Sequence, residues 1–98
     1  NENIIIDPGF GFAKNVEQNL KLLKEFHLLN QLGYPILSAL SRKRFIGAVV
    51  EETDPKLRVI GSVTGHLLSI QQGASIVRAH DVKATVDAIK IWQAMQQF

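Results

Sequence analysis

The 98 residues, 46% hydrophobic and 20% charged, have a globular composition rather than a disordered or collagenous one, enough for one domain or part of a larger one. The absence of cysteine excludes disulfides, thiolate-held zinc and thiol nucleophiles. A formal net charge of +2 is too small to argue for nucleic acid, and no apolar run nears the roughly 20 residues that span a membrane.

The elements follow a repeating order of short aliphatic strand, polar loop and amphipathic helix. Residues 4–6 form the first strand, which runs into Asp7, Pro8 and the pairs Gly9–Phe10 and Gly11–Phe12. The chain does not begin with methionine and this strand starts almost at once, so the sequence reads as a segment of a longer protein. The first helix is predicted to begin at Asn15 as N-cap, with Gln18 in the capping-box position. Val16, Leu20, Leu23 and Phe26 recur at helical spacing, widened by Leu22 and Leu29, and Gly33 suits the left-handed C′ position.

Residues 36–40 are the second strand, apolar and small enough to be covered on both faces. They lead into Ser41–Arg42–Lys43–Arg44 and a short helical stretch. Asp54–Pro55 opens a longer helix that ends near Gly73, and residues 74–80 are the third strand. Asp81 is the predicted N-cap of the last helix, with Val82, Val86, Ile89 and Trp92 along one face. Strands alternating with helices, the strands nearly continuous in apolar residues, predict an α/β protein of three parallel βα units.

Each strand ends in polar residues: Asp7, then Ser41, Arg42 and Lys43, then Arg78 and His80. In parallel sheets these ends share one side, and that side binds ligands in barrels and open α/β sheets. The simpler reading of Asp7 is a turn residue before proline, but a turn acid needs no glycine–phenylalanine pairs beside it: Gly9 and Gly11 allow close backbone approach, and Phe10 and Phe12 can wall an apolar slot. A dinucleotide site needs a third glycine where Lys14 stands. The basic run from Arg42 reads alone as a solvated patch, yet it lies between a strand and a helix start, where Ser41 offers a capping hydroxyl and backbone N–H groups favour an anion. Arg78 and His80 point to one face of their strand and suit phosphate oxygens; the simpler alternative is an ion pair with Asp81. His27 and His66 read as structural or surface residues, and the three histidines show no metal-ligand spacing.

The stretches "DPGFGFAK", "SRKRFIG" and "GASIVRAHDV" closely resemble three consecutive signatures of bacterial dihydropteroate synthases, the sulfonamide-inhibited enzymes of folate biosynthesis. The match covers residues 4–81 in the right order and spacing. The resemblance implies the C-terminal part of a TIM-type (β/α)8 barrel, strands six to eight with their helices. It also implies a transferase that joins 4-aminobenzoate to 6-hydroxymethyl-7,8-dihydropterin diphosphate, giving 7,8-dihydropteroate and pyrophosphate. By motif position, Asp7 would accept from the pterin's amino-pyrimidine edge and Lys43 would donate to its oxygen and nitrogen edge. Arg78 would lie against the pterin plane and, with His80, hold the diphosphate. Phe12, Ser41 and Arg42 would form the 4-aminobenzoate pocket, and Lys43, Arg78 and His80 would carry the catalytic contacts. Mg²⁺ is implied, with its ligand outside these residues, as are a cytoplasmic location and a homodimer.

Two departures from the pattern are small: Ala39 stands where glycine is common and Ala79 where valine is usual. The larger departure is the absence of the first five units, so the 98 residues alone are expected to be inactive, with two exposed sheet edges. A different class remains open on the residues themselves: a small phosphate- or anion-binding α/β module without catalysis. Asp7 discriminates, because a plain anion site does not want a carboxylate aimed into it.

Overall fold

The computed structural model of the chain describes residues 4–11 and 14–98; Phe12, assigned above to the 4-aminobenzoate pocket, lies outside them. The order is α1 (Val16–Lys24), a 3₁₀ segment (Phe26–Leu32), β1 (Leu37–Ser38), α2 (Arg44–Val50), a 3₁₀ turn (Pro55–Leu57), α3 (Val59–Gln71), β2 (Ile76–Val77) and α4 (Val82–Met95). The first predicted strand contributes a single parallel bridge between Ile6 and Ile36. β1 pairs in parallel with β2, Leu37 opposite Ile76 and Ser38 opposite Val77. Three segments thus run side by side in one direction, the second in the middle, as the sequence predicts.

The ladders are shorter than the aliphatic runs. Leu37 donates to the Ile6 carbonyl at 2.8 Å and Arg78 to that of Ser38 at 3.0 Å. Past Ile6 come proline, which has no N–H, and Gly9 at φ 76°, so pairing stops there. The middle strand is covered as expected, with Ile36, Ser38, Ala39 and Leu40 all buried. The flanking segments are not: Ile5 is 54% and Ile76 40% exposed, since each has a neighbour on one side only among the described residues.

Local signals place the helices. Asn15 Oδ1 accepts from Gln18 N–H while Gln18 Oε1 accepts from Asn15 N–H, the reciprocal capping box that satisfies two donors at the start of α1. The helix ends at Glu25 and tightens into the 3₁₀ segment before Gly33, left-handed at φ 77°, reverses the chain. α3 stops at Gln71, as Gly73 requires. It approaches β1 closely through small residues: a Cβ on Gly65 would stand 2.7 Å from a Leu40 methyl, and Ser69 Oγ reaches Ser38 Oγ at 2.9 Å.

The core gathers Phe10, Leu23, Phe26, Ile36, Leu40, Phe45, Ile46 and Ala74. Phe10 is fully buried and lies between Phe26 and Phe45, with ring centroids 6.0 and 5.7 Å away and planes nearly parallel. It belongs to the core and does not wall a ligand slot, because its ring completes a three-aromatic stack worth more than an exposed face. The inward face of α4 is also turned from the one predicted. Thr85 is buried against His66, with Ile89 and Trp92 half-buried, whereas Val82 and Val86 are exposed.

Candidate functional site

The loop after Ile6 is held by side chains from both directions. Asp7 Oδ1 accepts from Gly9 N–H at 3.0 Å, so the turn role and an exposed carboxylate coexist. Asn19, 1% exposed on α1, accepts from Gly11 N–H at 2.8 Å and donates to the Asn15 carbonyl at 2.9 Å. Two lysines take successive loop carbonyls: Lys14 donates to Gly9 at 2.9 Å and Lys43 to Phe10. Gly9 and Gly11 both need the left-handed region, at φ 76° and 88°. A Cβ on Gly11 would come within 2.9 Å of Lys43 Cδ. The glycine therefore serves close approach, with a lysine as its neighbour.

Lys43 is where the three strand ends meet. Burial lowers its pKa from the ordinary lysine range; the nearby Asp7 carboxylate opposes that, while Arg78 and Lys14 push the same way as burial. Asp7 and Arg78, from the two other units, therefore both act on the charge of Lys43. Ser41 and His80 join the second and third units directly: Ser41 Oγ accepts from His80 N–H at 3.1 Å and lies 2.8 Å from its Nδ1.

Two expectations are corrected at this turn. Ser41 does not cap α2: Lys43 occupies the N-cap position without a side-chain capping bond, and the buried Ser41 hydroxyl is committed to His80. Asp81 stands at the N-cap of α4 but makes no capping bond there, because Arg42 takes both its oxygens, Nη2 to Oδ1 at 2.8 Å and Nε to Oδ2 at 3.2 Å. The acid's ion-pair partner is thus Arg42, rather than Arg78 or His80. These bonds hold the Asp81 carboxyl below the usual carboxylate range and raise the Arg42 guanidinium.

Sequence reasoning passed over Lys14, Asn19 and Arg58, which shape the site from outside its three motifs. Arg58 and Ser62 both bond the backbone of Arg42. An open cleft of about 970 Å³ borders the turn, lined by Gly11, Arg42, Lys43 and Phe45 among others. His66 is buried and its Nε2 meets no hydrogen-bond partner among the described residues, while Nδ1 lies 3.1 Å from Thr85 Oγ1. Burial lowers its pKa, against the pull of Asp81. Among the described residues no group of three or more His, Asp or Glu side chains is placed to hold a metal ion. No helix of the described residues is long and apolar enough to cross a membrane.

Known proteins are similar to this chain in sequence and in backbone. The family model described as "Pterin binding enzyme" matches residues 1–80. A dihydropteroate synthase of Haemophilus influenzae is 50% identical over 93 residues, 95% of this chain and 34% of that protein. The structure of a Xanthomonas albilineans dihydropteroate synthase in complex with 7,8-dihydropteroate has a TM-score of 0.97 and 49% identity, covering 99% of this chain and 37% of that one. A Thermus thermophilus dihydropteroate synthase in complex with 6HMPPP has a TM-score of 0.90 at 44% identity, covering 94% and 37%. The chain thus spans about a third of the length of the curated relatives it matches. A family model accounting for most of the sequence, and a backbone that superposes almost whole on barrels of that kind, carry the same conclusion: this chain belongs to the pterin binding enzyme family and forms part of its βα barrel.

Proposed function

We propose that the barrel of which this chain is a part condenses 4-aminobenzoate with 6-hydroxymethyl-7,8-dihydropterin diphosphate, giving 7,8-dihydropteroate and pyrophosphate. One observation carries the reading: Asp7, Lys43 and Arg78 come from three successive units yet meet electrostatically at Lys43. An acceptor beside a donor suits the two edges of a pterin, and a plain anion site has no use for the acid. Arg78 covers the ring and, with His80, holds the diphosphate. His80 commits Nδ1 to Ser41, so Nε2 is the atom that reaches an oxygen. Arg42 and Ser41 serve the 4-aminobenzoate side, Ser41 through the orientation it imposes on His80; Phe12 is assigned to the same pocket by its motif position alone.

The chemistry needs no covalent enzyme intermediate. The arylamine nitrogen forms a bond to the pterin methylene carbon as the carbon–oxygen bond breaks, the electron pair leaves with the diphosphate, and the amine's proton passes to solvent. Cationic donors placed where that negative charge grows supply the main stabilisation, and fixed substrate orientation the rest. A magnesium ion on the substrate diphosphate, held by residues beyond these 98, belongs to the same proposal, as do a cytoplasmic location and a homodimer. The exposed apolar residues Ile91 and Met95 of α4 support a contact between copies.

The test is pyrophosphate release by the isolated chain and by a completed barrel, in which residues 1–98 replace the matching segment of the Haemophilus influenzae relative. The completed barrel should turn over and the isolated chain should not. Asp7→Ala and Lys43→Ala should each lower kcat/KM by roughly 10²-fold, the scale of one lost charge-stabilising contact. A completed barrel that binds phosphate but no pterin refutes the reading.

A further inference from the structure

The first turn of α3 is wired to the turn ahead of α2, and none of the roles above uses it. Arg58 is 8% exposed, and its guanidinium donates to three backbone carbonyls: Nη1 to Arg42 at 2.8 Å, Nε to Glu52 at 2.9 Å and Nη2 to Thr53 at 2.9 Å. Glu52 and Thr53 lie just past the C-terminal end of α2, where a helix favours a cation. Arg42 lies just ahead of its N-cap. The guanidinium therefore straps α2 end to end.

Gly47, in the middle of that helix, makes the room. A Cβ there would stand 2.6 Å from Arg58 Cζ, closer still to Nε, and 2.5 Å from the Glu52 carbonyl oxygen that Nε bonds. The residue at the far end of the strap is strained: Arg42 is left-handed at φ 59°, a conformation that side-chain-bearing residues avoid. It persists because neighbours over-determine it. Ser62 Oγ accepts its N–H at 2.8 Å, Arg58 donates to its carbonyl, and Asp81 holds its guanidinium. Lys43 is the next residue, and its ammonium must arrive at the Phe10 carbonyl beside Asp7 and Arg78.

We propose that Arg58 is a positioning residue for the site: by fixing α2 and holding Arg42 left-handed, it sets where Lys43 delivers its ammonium. The proposal rests on reading Lys43 as a pterin ligand. Lysine is a poor substitute for Arg58, because its donors radiate from a single nitrogen and cannot span carbonyls at both ends of a seven-residue helix.

The test uses the completed barrel with Arg58→Lys, Arg58→Ala and Gly47→Ala; the last keeps the arginine and its charge but removes its seat. Amide hydrogen exchange over residues 39–47, 6-hydroxymethylpterin affinity, and kcat and KM for the pterin diphosphate are measured for each. Exchange at Arg42 and Lys43 should quicken, with exchange in α4 unchanged, and pterin affinity should fall roughly tenfold. Values of kcat/KM should fall by up to about 10²-fold, the effect of a misplacement near 1 Å. Millimolar methylguanidinium should restore part of the loss in Arg58→Ala and none in Gly47→Ala, where the seat is filled. Unchanged exchange at Arg42 in both Arg58→Lys and Gly47→Ala overturns the proposal. So does faster exchange with pterin affinity and kcat intact, which leaves the functional reading standing. An unsubstituted barrel that binds no pterin sinks that reading, and this one with it.

Discussion

Replacing Phe10 by leucine tests whether the site loop is anchored through the core. The ring is fully buried and lies nearly parallel to those of Phe26 and Phe45, at 6.0 and 5.7 Å. Each aromatic pair is worth about 0.5–1.5 kcal/mol beyond its buried area, so losing both removes about 1–3 kcal/mol. The change of shape in a packed core adds up to about 1.5 kcal/mol. Phe10→Leu should therefore destabilise the completed barrel by roughly 1–4.5 kcal/mol, and Phe10→Ala by about 3–5 kcal/mol. Urea titration followed by far-UV circular dichroism measures the loss as a lower midpoint at unchanged slope. Val49→Ala, at a side chain 55% exposed, is the control and should stay within about 0.5 kcal/mol. The same variant should weaken pterin binding, because the Phe10 carbonyl receives the Lys43 ammonium. A Phe10→Leu loss indistinguishable from the control would show that the stack does not hold the loop.

Gly11→Ala should cost about 1–2 kcal/mol for a side chain at φ 88° and should lower pterin affinity, since the new methyl would press on Lys43 Cδ; equal affinity in a fluorescence titration counts against the packing described. Asp81 has its pKa lowered by Arg42, so its contribution to stability is complete above the ordinary carboxylate value of 3.8 and is lost as pH falls through the lower folded value. Asp81→Asn should therefore flatten the acid limb of the stability curve, measured by urea midpoints across that range. His66 has its pKa lowered by burial, so the unfolded chain takes up the proton first as pH falls. Its contribution is full above the ordinary 6.5 and declines below it. His66→Gln should narrow the gap between melting temperatures at about pH 5 and about pH 8, and an unchanged gap rules out this histidine as its source.

Much of this was legible because short-range rules decide it. The capping box at Asn15 and Gln18, the left-handed Gly33 and the alternation of strand with helix are local, and three polar strand ends in a parallel arrangement must share a side. What was not legible depends on contacts between distant residues. Phe10, in a glycine-rich loop, reads as a pocket wall; the positions of Phe26 and Phe45 turn its ring inward. Ser41 and Asp81 both carry capping side chains by type, yet His80 and Arg42 outcompete the helix N-termini because a directed side-chain partner lies within reach. Arg58 carries no local sign of being buried. Its burial follows from Gly47, eleven positions earlier, and from carbonyls on either side of α2. The face of α4 rotated for a similar reason: Thr85 satisfies one nitrogen of His66, which no periodicity of apolar residues announces.

Three side-chain links at the mouth cross from one repeat to its neighbour: Lys43 to the Phe10 carbonyl, His80 to Ser41, Arg42 to Asp81. A protein assembled this way is modular in outline but not in operation. Recombination with a relative at the outer loops would keep every helix intact and still part a lysine from its carbonyl or an arginine from its acid. Functional hybrids should instead arise from crossovers that transfer neighbouring repeats together, and in natural sequences these contact partners should be inherited as sets.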